Sequence, residues 1–282
     1  MTTANRTGLA PVAIAVAPNG GRRSKADHPG LPITTDELAT VAAGCADAGA
    51  VMIHVHIRDA QGRHLLDAET YRRTIAAIQR AAGDRLLVQI TSESIGAYSP
   101  AEQMAVVKAV RPEAVSLGLR ELVPDAASER EFASFVTWLS REHITPQIIL
   151  YQPDEAVRLA SLMQRGLIPW KSIPVLFVLG GYVSPREAEA ADLLHFVSPA
   201  LPKFEHWMVC AFGRQEAACV TSAARMGGHV RVGFENNLHR PDGTLAPDNA
   251  AQVHSVAQLL RSAGVGLLSA DQLRAAWAGV PA

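Results

Sequence analysis

Cysteine is scarce in this chain of 282 residues, and the three that occur are Cys45, Cys210 and Cys219. Their number is odd, they lie far apart in the sequence, and no two of them form a CxxC pair. This usage excludes a disulfide framework and a thiolate zinc finger, and it is typical of proteins from a reducing compartment. We therefore expect a cytoplasmic protein.

An excess of one charge and a long hydrophobic run are also missing. The sequence holds 26 Lys and Arg against 27 Asp and Glu, a formal net charge of -1, so it has no positive field for a phosphate backbone or an anionic membrane. The longest early apolar run, Pro11–Pro18, is much shorter than the roughly 20 residues of a membrane-spanning helix. It also lacks a basic n-region followed by a cleavage site, so we expect no targeting segment. We expect neither a nucleic-acid partner nor a membrane partner.

Apolar residues are plentiful at 48% of the chain, which is enough for a full core. Short apolar runs alternate with segments of helical period from one end of the sequence to the other, a pattern typical of βα units. Eight runs are predicted strands: Val12–Ala17, Val51–Ile57, Arg85–Thr91, Ala114–Leu117, Thr145–Tyr151, Pro174–Leu179, Glu205–Ala211 and His229–Phe234.

The count of eight predicts an α/β protein with a closed (β/α)8 TIM barrel. The alternative is an open doubly wound sheet, which should show G-x-G-x-x-G after its first strand. Residues Asn19–Arg23 lack that spacing. No linker or low-complexity tract interrupts the series, so we expect one domain over residues 1–282.

Helix starts are marked by a capping oxygen followed three residues later by a Glu or Gln side chain. Helix Thr35–Ala48 is predicted to end at Gly49, and a helix near Asp248–Ala263 precedes an extra C-terminal helix that runs through Trp277. The four capping pairs are Thr34 with Glu37, Ser99 with Glu102, Ser184 with Glu187, and Ser269 with Gln272, and Pro100 and Pro185 strengthen the second and third.

The strongest chemical signal is His54-Val55-His56 at the end of the second predicted strand. Side chains at i and i+2 of a strand point to the same side, so both imidazoles would enter the barrel together. At the mouth of a barrel they can bind a divalent metal. The alternative is a pair of hydrogen-bonded core histidines.

A metal site needs a further ligand from another strand end, and Glu235 follows the eighth predicted strand. Two histidines and one carboxylate would leave open positions on the ion, which is typical of catalytic sites. Glu235 is equally suited to pair with Arg231, and the two roles are compatible.

Three segments, Ile53–Gly62, His206–Gln215 and Gly227–Asn237, resemble the corresponding segments of the β-keto acid cleavage enzymes, whose members include 3-keto-5-aminohexanoate cleavage enzymes. The likeness extends through Ala26–Leu38 and Val175–Gly181. It implies a (β/α)8 barrel that binds zinc, or another divalent metal, through His54, His56 and Glu235.

The resemblance also implies the reaction and its partners. A β-keto acid condenses with acetyl-CoA, and a retro-Claisen step then gives acetoacetate and a new acyl-CoA. A dication would stabilise developing negative charge as a Lewis acid, and Arg231 is the expected oxyanion-stabilising catalytic residue. The family implies a homo-oligomer, commonly a tetramer.

The sequence departs from the family where proton transfer is expected. Members carry Glu-Asp-Asn where this chain has Glu235-Asn236-Asn237, and Asn236 cannot serve as a carboxylate base although it occupies the catalytic position. The base may therefore be Glu93, Glu121 or a water on the metal, and the sequence leaves the three open.

Other departures concern substrate contacts. The family's Ser-Thr-Gly-Gly after strand three is Thr91-Ser92-Glu93-Ser94 here, and a carboxylate that members carry on the fifth strand is missing. Arg22 stands where members often place an acid, which predicts a β-keto acid with an anionic or neutral distal group. Further substrate contacts are expected from Ser116, Arg120 and Glu121, beside Thr91 and Glu93.

Two other functions remain open at this point. An amidohydrolase-like metal hydrolase also uses HxH in a barrel, and a barrel that binds a metabolite without turnover would explain Asn236. Asp59 is expected to pair with Arg58 or to orient a ligand imidazole.

Overall fold

A computed structural model describes residues 8–182 and 187–278 of the chain. Eight parallel strands close into a barrel in which neighbours in the chain are neighbours in space, and β1 returns to pair with β8 through Ile14 and Val230. The strands are β1 (Ile14–Val16), β2 (Met52–Val55), β3 (Leu87–Thr91), β4 (Ala114–Gly118), β5 (Thr145–Leu150), β6 (Val175–Leu179), β7 (Trp207–Ala211) and β8 (His229–Val232).

The barrel confirms the predicted fold class, and each predicted strand contains or overlaps its observed counterpart. The second one is split. Strand β2 ends at Val55, and Ile57–Arg58 pairs with His64–Leu65 in a separate antiparallel hairpin. The break follows from Asn19, whose side-chain amide donates to the His56 carbonyl at 2.9 Å and whose oxygen accepts from the His56 amide at 3.4 Å.

Helices surround the barrel between the strands. The longer ones are α1 (Thr35–Ala48), α2 (Ala68–Ala82), α3 (Pro100–Val110), α4 (Glu129–Arg141), α5 (Pro153–Gln164), α6 (Glu216–Arg225), α7 (Asn249–Ser262) and α8 (Ala270–Trp277). Short helical turns are found at Gly83–Arg85, Leu119–Leu122, Ala190–Leu193 and Leu194–Val197.

The predicted capping signals are confirmed for α1, α3 and α8, where each capping side chain accepts from the backbone three residues on. Helix α1 ends at Gly49, whose φ of 113° lies in the left-handed region that favours glycine. The helix start predicted at Ser184-Pro185 lies outside the described residues.

The interior of the barrel changes from apolar at one end to polar at the other. Inward-facing side chains at the lower end, Met52 and Met208 among them, form one cluster with Leu273 and Trp277 of α8. The extra C-terminal helix therefore closes the end of the barrel where the strands begin. Nearer the ends of the strands, the inward-facing positions carry polar side chains. These include His54 on β2 and Arg231 on β8.

In the described part of the chain, no helix combines the length and the apolarity that crossing a membrane requires.

Candidate metal centre and active site

Three buried donor atoms meet at the polar end of the barrel. His54 Nε2 and His56 Nε2 lie 3.1 Å apart, and Glu235 Oε2 lies 3.6 Å from the first and 3.7 Å from the second. All three residues are buried, at 1%, 0% and 6% exposure. The two imidazoles thus enter the barrel together, as the HxH spacing predicts.

These distances fit a first-row metal ion. A circle through the three atoms has a radius of about 2 Å, calculated from the three edges, and Zn–N and Zn–O bonds measure about 2.0–2.2 Å. Among the described residues, Glu235 Oε2 is also a buried polar atom without a hydrogen-bond donor. A divalent cation would compensate its buried charge, because an unpaired carboxylate oxygen is costly in a protein interior.

The orientation of the His54 imidazole is fixed by two successive hydrogen bonds between side chains. His54 Nδ1 lies 2.8 Å from Gln89 Oε1, and Gln89 Nε2 donates to Gln147 Oε1 at 3.1 Å. Burial lowers the pKa of His54 to about 4, despite the opposing effect of Glu235. The imidazole is therefore neutral, the form that binds a metal, with Nε2 directed at Glu235.

Glu235 also pairs with Arg231, as the alternative hypothesis for this residue predicts. Its Oε1 accepts from Arg231 Nη2 at 3.4 Å while its Oε2 faces the imidazoles. The turn that presents it depends on Gly233, which has a φ of 136° and an ideal Cβ position only 2.4 Å from the Ala17 carbonyl oxygen. Only glycine fits there, so the turn and β1 hold the carboxylate against the histidines.

Arg231 places its guanidinium next to this cluster. Its Nη2 lies 3.3 Å from Cys210 Sγ and 3.5 Å from Asn236 Oδ1, at the limit of a hydrogen bond. Its Nε and Nη1 and the Asn236 Nδ2 have no partner among the described protein atoms. A buried cation with free N–H groups beside the three donors is suited to bind an anionic oxygen.

A cavity of about 510 Å³ opens from this cluster, and its lining includes His54, Glu235 and Arg231. Glu93 also lines it, with Oε2 3.8 Å from His56 Nε2. Burial raises the pKa of Glu93 to about 7, and the charges of Glu235 and Glu121 act in the same direction. This places a carboxyl group that can exchange a proton near neutral pH in the cavity.

Three further predicted substrate residues line the cavity: Thr91, Arg22 and Arg120. The Arg120 guanidinium stacks 3.6 Å above the centre of the Tyr151 ring, and that of Arg22 lies 5.2 Å from the centre of the Tyr182 ring.

The structure does not bring the other predicted residues to the cavity surface. Among the described residues that line it, Ser116, Glu121 and Asn236 are missing. Ser116 is buried within β4 with its hydroxyl 3.4 Å from that of Thr91, and Glu121 Oε2 accepts from the Ser94 amide at 2.9 Å. Ser116 and Glu121 therefore support the loop after β3. Asn236 contacts Arg231, with its Oδ1 3.5 Å from Arg231 Nη2.

The prediction for Asp59 was wrong in its partner. Its carboxylate accepts from Arg63 Nε at 2.7 Å and from the Gln61 amide at 2.9 Å, so it stabilises the turn of the small hairpin. The residue that orients a ligand imidazole is Gln89.

Sequence reasoning missed two buried residues that support the donor cluster, Gln89 and Glu216. Gln89 pairs in register with His54 on the neighbouring strand. It is the one polar side chain in Leu87–Ile90, and a polar residue in an apolar strand is a signal that the sequence already contained. Glu216 accepts from the Gly233 amide at 3.3 Å and from Asn237 Nδ2 at 3.2 Å, and burial raises its pKa to about 8. It braces the turn that carries Glu235 and gives no comparable signal in the sequence.

Comparison with known proteins finds relatives that match most of this chain. Residues 11–278 match the family model described as beta-keto acid cleavage enzyme. The chain is 30% identical to a 3-keto-5-aminohexanoate cleavage enzyme of Fusobacterium nucleatum, over 90% of this chain and 93% of that protein. It is 27% identical to a 3-oxoadipate:acetyl-CoA acetyltransferase of Cupriavidus necator, over 94% of each chain.

Among solved structures, the apo structure of ObcA superposes with a TM-score of 0.66 at 17% identity. The match covers 89% of this chain and 66% of that one. At this identity the likeness supports the barrel fold alone.

Proposed function

This chain belongs to the beta-keto acid cleavage enzyme family, and on that premise we propose that it is a metal-dependent transferase acting on a β-keto acid and acetyl-CoA. Carbon 2 of the keto acid loses a proton and forms a bond to the acetyl carbonyl carbon, and the thioester bond of acetyl-CoA breaks to release the CoA thiolate. The thiolate then attacks the former keto carbon, the bond between carbons 2 and 3 breaks, and carbon 2 takes back a proton. The products are acetoacetate and a new acyl-CoA.

We propose that His54, His56 and Glu235 hold the metal and that the metal is zinc. The observation that carries this proposal is the spacing of the three donor atoms, 3.1 to 3.7 Å, around one point. When bound, the ion would supply Lewis-acid chemistry toward the keto acid oxygens. Two neutral imidazoles and a single carboxylate would leave room on it for substrate.

Arg231 is proposed to bind negative charge that develops on the reacting oxygens. It lines the cavity, is 3% exposed, and is held by Glu235 and Cys210 so that the guanidinium cannot swing away. In a site from which water is excluded, such a fixed cation stabilises an oxyanion without reorganising. Asn236 orients the guanidinium and does not take a proton.

Glu93 is proposed to remove the proton from carbon 2 of the keto acid. Of the three bases that the sequence leaves open, it is the carboxylate that lines the cavity, whereas Glu121 is bonded to the Ser94 amide. The transferred proton would reside on a Glu93 carboxylate oxygen, which the raised pKa of about 7 permits.

The preferred substrate is proposed to carry an anionic or neutral group at its distal end. Arg22 and Arg120 lie on the cavity lining, and either guanidinium can bind a carboxylate through two parallel hydrogen bonds. The Cupriavidus necator relative is named for 3-oxoadipate, a dicarboxylic β-keto acid. An amino-bearing substrate would meet repulsion at the same guanidinium groups.

The test is acetoacetate formation from a panel of β-keto acids with and without acetyl-CoA, before and after metal removal by a chelator. Turnover that requires both acetyl-CoA and the metal supports the proposal. Hydrolysis without acetyl-CoA would favour a metal hydrolase, and binding of the keto acid without product would favour a metabolite-binding barrel.

The homo-oligomer, expected to be a tetramer, stays a prediction, and light scattering on the purified protein measures it. The cytoplasmic location also stays a prediction, and fractionation of the native cells measures it.

A further inference from the structure

A second depression, of about 580 Å³, lies at the same end of the barrel as the active-site cavity. Arg23, Arg214 and His239 line it, together with Arg22 and Tyr182, which also line the cavity. We refer to this depression, defined by Arg23, Arg214 and His239, as the arginine groove. Since the two share lining residues, one elongated molecule can occupy both.

The side chains of the groove are arranged to favour an anion. Three guanidinium groups, those of Arg22, Arg23 and Arg214, face two carboxylates. One of these, Asp27, already accepts from the Ser24 amide at 2.7 Å and from the Ser24 hydroxyl at 3.1 Å. The other, Glu187, is likewise engaged with a partner. With three guanidinium groups against two carboxylates, the lining carries one positive charge in excess, whereas the whole chain has a formal net charge of -1.

The positive charges of the groove affect the pKa of His239. Burial lowers the pKa of His239, and the positive charges of Arg214 and Arg23 lower it further against the opposing charge of Glu187. Arg23 is also fixed in place, because its Nη2 donates to the Asn236 carbonyl oxygen at 3.3 Å. Part of the groove is thus pre-organised by the backbone of the turn that carries Glu235.

Acetyl-CoA has the shape and charge that such a pair of sites requires. Its thioester end is neutral and must reach the donor cluster, whereas its nucleotide end carries a diphosphate and a 3′-phosphate. The cavity must also hold the keto acid, so the nucleotide end has to lie outside it. Guanidinium groups bind phosphates bidentately and are the side chains of choice for them.

Among the described lining residues, the opposite rim of the cavity offers one guanidinium group, against three in the groove. The guanidinium found there belongs to Arg120, which is stacked on Tyr151 at 3.6 Å. We therefore propose that the arginine groove binds the phosphate groups of acetyl-CoA. This inference rests on the proposed function, because it takes acetyl-CoA as the co-substrate.

Arg214 is the residue to change, because it is exposed and none of the hydrogen bonds found in the described residues ties it to the catalytic groups. The two thioesters to compare are acetyl-CoA and acetyl-pantetheine, which lacks the phosphates and the adenosine. We expect Arg214→Glu to raise KM for acetyl-CoA about tenfold and Arg214→Ala by less. KM for the keto acid and kcat/KM for acetyl-pantetheine should stay unchanged.

A matched control is Arg80→Glu, which makes the same change in net charge. Arg80 is exposed in the last turn of α2, the end of the helix that leads into the start of β3 and so faces away from the cavity. This variant should behave as wild type with both thioesters. The proposal would be overturned if Arg214→Glu lost activity with acetyl-CoA and with acetyl-pantetheine in equal proportion. It would also be overturned if this variant lost no activity with acetyl-CoA.

Direct binding separates this inference from the proposed function. Calorimetry with adenosine 3′,5′-bisphosphate should show binding to the wild-type protein that is about tenfold weaker in Arg214→Glu. If the wild-type protein forms no acetoacetate but this difference is found, the proposed function fails and the phosphate site stands. If acetoacetate is formed and the nucleotide binds both proteins equally, the phosphate site fails alone.

Discussion

Gln89 Oε1 accepts from His54 Nδ1 at 2.8 Å, and this contact determines which nitrogen of His54 faces Glu235. The amide oxygen of Gln89 requires a proton on Nδ1, because its own amide nitrogen is already donating to Gln147. Nε2 is then unprotonated, with its lone pair directed at the point shared with His56 and Glu235. A residue buried in the strand next to β2 thus prepares the metal site.

The first prediction concerns this contact. Gln89→Leu removes the acceptor and keeps a side chain of similar size, so the correct tautomer of His54 is no longer favoured. We expect the metal dissociation constant to rise about 10- to 100-fold, measured by competition with a chelator. Gln79→Leu on the exposed side of α2 serves as a control. Equal metal affinity in Gln89→Leu and wild type would show that Gln89 is only a packing residue.

The second prediction concerns the proton acceptor. Glu93→Gln keeps the shape of the side chain but cannot take a proton, so we expect kcat to fall about 10²- to 10⁴-fold with unchanged metal content. Because burial raises the pKa of Glu93 and the ionised form is the base, wild-type kcat should rise as the pH increases through the pKa of this carboxyl group.

This acidic limb of the pH profile should vanish in Glu93→Gln and persist in the control Glu121→Gln. A limb that survives in Glu93→Gln would assign the base to another group.

The third prediction concerns the distal group of the substrate. Arg22→Glu replaces an attractive charge at the cavity rim by a repulsive one. The ratio of kcat/KM for a dicarboxylic keto acid to that for an amino-bearing one should fall tenfold or more, equivalent to about 1.4 kcal/mol. Arg22→Lys should keep the wild-type order. A clear preference of the wild-type enzyme for the amino substrate, retained in Arg22→Ala, would contradict the charge argument.

The fourth prediction concerns Glu216 and stability. Burial raises its pKa from 4.5 to about 8, so between these values the folded protein binds the proton more tightly than the unfolded chain. The contribution of Glu216 to the free energy of unfolding is then largest below pH 4.5 and is lost as the pH rises toward 8.

The Glu216→Gln variant cannot ionise, and its unfolding free energy should therefore fall less than that of wild type between pH 5 and 8. Urea denaturation at both pH values measures the difference. Parallel changes in the two proteins would show that Glu216 does not titrate in this range.

The sequence predicted the barrel because hydrophobic periodicity and capping are local, and the capping pair Thr34 with Glu37 is an example that needs no tertiary information. It also predicted that His54 and His56 share a side, which follows from strand geometry alone. The end of β2 was placed too late because its termination depends on Asn19, which is far away in the chain.

The details of the site depend on long-range packing in the same way. Glu216 lies on α6 and reaches the turn at Gly233 and Asn237 only in the folded barrel. The difference between Glu93, which lines the cavity, and Glu121, which is bonded to Ser94, depends on loop geometry. Composition and periodicity carry no information about that geometry.

The central claim is that the acetyl group of acetyl-CoA becomes part of acetoacetate. It is tested most directly with acetyl-CoA carrying carbon-13 at both acetyl positions and an unlabelled β-keto acid, with the products analysed by NMR. The account predicts label at carbons 3 and 4 of acetoacetate, none at carbons 1 and 2, and an unlabelled new acyl-CoA. Unlabelled acetoacetate, or labelled free acetate in its place, would contradict it.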